Sequence, residues 1–239
     1  MPKTMRNLPL YLGGFMGPFG ATLVLPMFPE LRTSFRTSTE TIGWTFTAYL
    51  LPFAILLLIS GTLGEKWGRK RTVRGTYLLY AFSSMTCALA PNLQIFLLGR
   101  SFQGIANAFI TPLLLSGLAE RNPESKFGSK VGIYAGFQAL GMGMAPLIGG
   151  ISADTEWRAA FWGTVFISIL LSIFPPDGEP REVSSIPSFK NLLDRKLILI
   201  GFATFIVATG PMGMNVLVAV VARDEFNVSG SNAGLILGI

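Results

Sequence analysis

With half of its 239 residues hydrophobic and only 13% charged, this chain has too few polar side chains to coat a water-soluble globule, and a mean hydropathy of +0.53 points to lipid as its main solvent. The net charge of +6 is carried by short segments between apolar runs, so no nucleic-acid partner is expected. A single cysteine, Cys87, excludes an intrachain disulfide, and with no histidine neither a metal site nor His-based catalysis is expected.

Crossing a hydrocarbon core of ~30 Å takes about 20 apolar residues. The first predicted span, Leu8–Phe28, follows Lys3 and Arg6 and is too long for a signal-peptide core. It contains Gly17-Pro18-Phe19-Gly20-Ala21-Thr22, with Thr22 as a candidate cavity residue. The second span is Ile42–Leu63 and the third Thr76–Ala90. Between them a predicted loop reads Gly61-Thr62-Leu63-Gly64-Glu65-Lys66-Trp67-Gly68-Arg69-Lys70-Arg71. Its glycines permit a tight turn and close helix approach. Its acid suits a helix N-terminus of another unit, and its bases suit ion pairs that lock the loop.

In the fourth span, Leu93–Leu118, the residues Arg100, Gln103, Asn107 and Thr111 recur at helical spacing and make one polar face. A guanidinium inside a bilayer costs ~2.5–3.5 kcal/mol, so Arg100 should meet a water-filled cavity or a partner. Glu30, Asp154 and Glu156, at the outer ends of neighbouring spans, are the carboxylates open to it. For Gln103 and Asn107, interhelical hydrogen bonds explain the polarity as well as a transport role does.

The fifth span, Val131–Ala153, places Gly141, Ala145 and Gly149 four residues apart, a small-residue face for close packing. Pro146 removes one helix amide and permits a bend, and Gln138 on the same face is a candidate cavity residue. The sixth span, Ala159–Pro175, follows an interfacial Trp157-Arg158, and the seventh is Leu197–Val221.

The seventh span repeats the first: Gly17-Pro18-Phe19-Gly20 returns as Gly210-Pro211-Met212-Gly213, and Phe35, Ser38 and Gly43 return as Phe226, Ser229 and Gly234. The expected organisation is a six-helix bundle over 1–175, a central cytoplasmic loop over 176–196 and the beginning of a second bundle over 197–239, with Asn215 as a further cavity candidate. A complete fold would hold about 12 helices, so this sequence is expected to be the N-terminal part of a longer chain whose C-terminal half is a missing partner. An inside N-terminus puts fourteen Lys and Arg on the inner side and four, Arg32, Arg36, Arg158 and Arg223, on the outer.

The segment from Gly61 to Arg71 resembles the G-x-L-A-D-R-x-G-R-K signature of the major facilitator superfamily, with Gly64, Glu65 and Lys66 in place of Ala, Asp and Arg. Gly99-Arg100-Ser101-Phe102-Gln103-Gly104 resembles its R-x-x-Q-G motif. Gly132, Gly141, Ala145, Pro146, Gly149 and Gly150 resemble its antiporter motif, G-x8-G-x3-G-P-x2-G-G, with Ala145 for one glycine. The resemblance implies an all-α membrane protein of two six-helix halves, with a cytoplasmic gating loop at Gly61, Leu63, Glu65, Gly68, Arg69 and Lys70. It also implies a coupling or cavity role for Arg100, Gln103, Gly104 and Asn107. The antiporter-like fifth span implies proton-coupled export of small amphipathic molecules or drugs across the cell membrane, with protons, a small-molecule substrate and the lipid bilayer as partners and with neither cofactor nor catalysis. No span has an internal Asp or Glu, so a proton carrier would sit at the outer ends or in the missing half. Import of a small polar solute and a truncated, non-transporting membrane protein remain alternative readings.

Overall fold

The computed structural model describes residues 7–178, 180 and 195–238, so most of the predicted central loop lies outside the described residues. Helix α1 (Leu8–Thr22) has a proline in its first turn, where no helix amide is needed. Pro26 and Pro29 then interrupt the hydrogen-bond ladder, giving a 3-10 turn over Leu25–Met27 and a short α2 (Phe28–Phe35) where one continuous span was expected.

Helix α3 (Thr39–Trp67) starts at Ser38, whose Oγ accepts the Thr41 amide at 3.2 Å. Helix α4 (Arg69–Ala88) begins after one intervening residue, Gly68. The predicted loop over 61–71 is therefore two helix ends meeting at a glycine, and the third span starts earlier than Thr76. Hydropathy missed these turns because their bases are charged, yet charge at a helix end does not oppose helix. Gly68 has φ 90° and ψ 117°, a backbone conformation closed to residues with a Cβ.

The remaining helices are α5 (Leu93–Arg121), α6 (Glu124–Asp154), α7 (Arg158–Ile173), α8 (Arg195–Asp224) and α9 (Gly230–Gly238). Helix α6 continues through Pro146 and starts earlier than Val131. Among the described residues, four stretches are long and apolar enough to cross a membrane: Leu8–Phe35, Thr39–Trp67, Leu93–Arg121 and Glu124–Asp154.

Helix α5 is the hub, with α3 and α4 against it, while α4 reaches α7 and α1 lies along α6. Leu10, Met16, Tyr49, Tyr77, Leu114 and Tyr134 form one buried cluster, and Phe19, Leu23, Phe28, Phe96, Trp157 and Phe161 form another. Large apolar side chains also point outward, among them Leu51, Ile55 and Leu58 on α3 and Phe166 and Ile169 on α7. Such a surface is stable against acyl chains.

The internal repeat is visible in backbone geometry. Arg36 and Asn227 both have φ 50°, and each stands two residues before a serine that caps the next helix. Ser38 Oγ takes the Thr41 amide at 3.2 Å, and Ser229 Oγ takes the Asn232 amide at 3.3 Å. The turn from α2 to α3 therefore recurs between α8 and α9.

Candidate functional site

Polar side chains gather at one end of the bundle around Arg69, which is fully buried. Its Nε and Nη2 donate to the two oxygens of Glu65 at 2.7 and 2.9 Å. Nη2 also donates to Ser116 Oγ at 3.0 Å, and Nη1 donates to Glu120 and to the Asp177 carbonyl. All five guanidinium donors are thus used, by two carboxylates, a hydroxyl and a carbonyl. Glu65 on the last turn of α3 is thus tied across the Gly68 break to Arg69 on the first turn of α4. Lys70 Nζ lies 3.2 Å from Asp177. Nearby, a Cβ on Gly64 would come within 2.5 Å of Leu113 Cδ1, whereas one on Gly61 would make only an ordinary contact with Pro112. Leu63 is partly buried against the core.

Arg100 is also fully buried, but its surroundings are neutral. Nη1 donates to the Gly20 carbonyl at 2.8 Å and to Gln103 Oε1 at 2.7 Å, and the guanidinium carbon lies 4.5 Å from the centre of the Tyr49 ring. Gln103 passes the chain on through Nε2 to Ser84 Oγ at 2.7 Å. Nε and Nη2 of Arg100 have no protein partner among the described residues. The expected carboxylate partners are engaged elsewhere: Glu30 and Asp154 face Arg223, and Glu156 lies 3.5 Å from Arg158.

On the polar face of α5, Arg100, Gln103 and Asn107 are all less than 5% exposed, and Thr111 is half-buried. Glycines make this burial possible. A Cβ on Gly17 would lie 2.8 Å from Asn107 Oδ1, and one on Gly104 would overlap the Tyr49 carbonyl. Arg100 brings a positive charge and two further donors that can meet an anionic or carbonyl group.

Helix α6 joins two units through small residues. On one side, a Cβ on Gly141 would overlap the Phe15 carbonyl and one on Gly149 the Leu23 carbonyl, with Ala145 fully buried between them. On the other side, Gly150 faces the Gly230 carbonyl, Gly234 faces the Pro146 carbonyl, and Gly238 faces the Gly143 carbonyl. The two glycine rows run antiparallel, so α6 touches α1 of the first copy and α9 of the second with backbone on backbone. Gly132, by contrast, borders open space.

At the opposite end from Arg69 lies an ion-pair cluster that sequence reading did not assemble. Arg32 pairs with Asp224 through both nitrogens, at 2.8 and 3.0 Å, and Arg223 pairs with Glu30. Arg223 also lies 3.9 Å from Asp154. Asp154 in turn accepts the Gly230 and Ser231 amides at 2.6 and 2.8 Å, capping α9 at the positive end of its dipole. The available signal was the repeat itself, which sets Arg32 and Arg223 at equivalent positions.

Of the other cavity candidates, Thr22 is buried between α1 and α6, donating to the Pro18 carbonyl at 3.0 Å. Gln138 and Asn215 are half-buried.

Comparison with known proteins agrees with this architecture. The family model of the Major Facilitator Superfamily matches residues 10–239. The chain is 26% identical to the uncharacterized MFS-type transporter YvkA of Bacillus subtilis over 190 residues, 77% of this chain and 43% of that protein. It is 26% identical to the multidrug resistance protein Stp of Mycobacterium tuberculosis over 203 residues, 84% of this chain and 36% of that protein. A crystal structure of a bacterial homologue of the human lysosomal transporter Spinster, inward-facing and unoccupied, superimposes with a TM-score of 0.70 at 19% identity, covering 99% of this chain and 58% of that one. The chain thus spans less than half the length of these two curated relatives, and it belongs to the major facilitator superfamily.

Proposed function

We propose that this chain is the N-terminal part of a secondary transporter that exports small amphipathic molecules by proton-coupled alternating access, in the cell membrane with its N-terminus inside. The domain boundaries are those of two six-helix halves, the first over 1–175 and the second beginning after a central loop over 176–196. The observation that carries this reading is the double glycine seam of α6, with Gly141 and Gly149 set into α1 and Gly150 against Gly230 of α9. A helix seated tightly in one half, whose other face meets the second half mainly through glycine backbone and is tied to it by Asp154 at one end, can slide or tilt there without large side chains unlocking.

In this scheme the Glu65–Arg69–Glu120 network, with Gly61, Leu63, Gly68 and Lys70 around it, fixes the inner end of the first half. The Arg32, Arg223, Glu30, Asp154 and Asp224 cluster closes the outer end, and Arg100, supported by Gln103, Gly104 and Asn107, supplies a fixed charge beside the pathway. Gln138 and Asn215 border the pathway at the interface of the halves. The likeness to Stp supports export of drug-like molecules over import. The test is efflux of a fluorescent lipophilic cation from vesicles holding the full-length protein under an imposed proton gradient. Gradient-driven efflux that is lost in Arg100→Ala and Gly141→Leu is the expected result, and efflux indifferent to the gradient overturns proton coupling.

A further inference from the structure

A groove of about 600 Å³ opens on the outside of the bundle between the start of α1, the start of α4 and the end of α7. Its walls are apolar and outward-facing: Leu8 and Leu12 on α1, and Leu170, Ile173 and Phe174 at the end of α7. Leu170, Ile173 and Phe174 are three and four residues apart, so they form one strip along the groove.

The mouth of the groove is cationic. Lys70, Arg74 and Arg121 line it together with one carboxylate, Asp177, which lies 3.2 Å from Lys70 and 3.4 Å from Arg121. Arg74 enters no ion pair among the described residues; its Nε donates to the Ser172 carbonyl at 3.2 Å, and the residue is exposed. Arg71 stands in the adjoining groove that shares Lys70 and Arg74. The first turn of α4 holds no acidic residue, so the positive end of its dipole adds to these charges.

Among the described residues three cations stand over one carboxylate at the head, and together with the apolar strip running away along an outward-facing helix end they complement one chemistry. We infer that this groove binds an anionic glycerophospholipid, its phosphate held by Arg74 together with Lys70, and one acyl chain laid along Leu12, Leu170 and Ile173. Basic pockets between spans on the cytoplasmic side take anionic headgroups for this reason. A zwitterionic lipid brings the same phosphate but sets its own cation among the three of the groove. The inner-leaflet assignment rests on the orientation proposed above, whereas the site does not depend on the transport reading.

Native mass spectrometry of the purified full-length protein tests it, because lipid retention is read without any transport. Phosphatidylglycerol, phosphatidylcholine and soluble glycerol 3-phosphate are titrated in turn. Phosphatidylglycerol is expected to be retained preferentially, and Arg74→Gln or Lys70→Gln each to weaken its retention about fivefold. The double variant Lys126→Gln/Lys130→Gln removes charge from the start of α6, outside the groove, and is expected to leave retention unchanged. Lys70→Gln alters only an exposed side chain, so it decides the matter even where Arg74→Gln disturbs folding. Equal retention of the two lipids, equal loss in the α6 variant, or unchanged retention in Lys70→Gln overturns the site. Competition by glycerol 3-phosphate at the lipid's own concentration overturns the acyl arm.

Discussion

Arg32 and Arg223 stand at equivalent positions of the two copies of the repeat, three residues before Phe35 and Phe226, and each pairs with a carboxylate on the other copy: Arg32 with Asp224 at 2.8 Å, Arg223 with Glu30. The two pairs are unequal. The Arg223 side chain is 10% exposed and the Arg32 side chain 34%, so solvent screens the second pair more. Arg223→Gln is expected to loosen this end of the bundle more than Arg32→Gln does. In a Cys87→Ser background, alkylation of Val220→Cys, which packs one turn below Arg223, should quicken about fivefold for ~1 kcal/mol of lost closure. Arg32→Gln should change that rate by less than half as much.

Arg100 separates structural from functional need. With no carboxylate beside it among the described residues, the buried guanidinium is costly to hold, and an apolar residue of similar length is expected to be tolerated or stabilising. Arg100→Met is expected to keep or raise the melting temperature in detergent while gradient-driven efflux falls at least about tenfold, a loss of ~1.4 kcal/mol in the transport barrier. Full efflux in this variant would assign Arg100 to packing.

The two ends of the α6 glycine motif should respond in opposite directions to one methyl group. Gly141→Ala and Gly149→Ala drive a Cβ into carbonyls of α1, and each is expected to cost about 1–3 kcal/mol, seen as a lower unfolding temperature. Gly132→Ala adds its methyl to open space inside a helix and is expected to stabilise by ~1 kcal/mol or less.

Arg69 answers to two carboxylates, so removing it takes a buried cation from both at once. Arg69→Gln is expected to destabilise by about 3 kcal/mol, and Glu120→Gln, which leaves Glu65 in place, by much less. Thermal unfolding monitored by tryptophan fluorescence compares the two. Similar losses in both would mean that Glu120, not Glu65, is the principal partner.

The helices, their order and the repeat were legible because each follows from local pattern: apolar length, small-residue spacing, and the Gly-Pro-x-Gly run that returns at Gly210. The break at Pro26 and the early start of α4 were not, since a hydropathy window averages over a proline and discounts Arg69 to Arg74. Glu30 and Asp154 lie at the ends of spans neighbouring Arg100, which leaves them open to it in sequence, but only the three-dimensional arrangement gives both to Arg223, far downstream. The seam between α6 and α9 was half legible: the glycine rows were present in the sequence, but which row meets which helix is a matter of packing.

In the proposed mechanism two halves move against each other about α6, and the distance between Arg36 and Asn227, the two left-handed residues at equivalent positions of the repeats, measures that motion directly. Spin labels at Arg36→Cys and Asn227→Cys, in a full-length Cys87→Ser protein held in bilayers, give that distance by pulsed EPR. Two populations are expected, with the longer one gaining when Glu30→Gln and Asp154→Asn release Arg223. A single short distance, unmoved by those substitutions and by a proton gradient, would contradict alternating access through this interface.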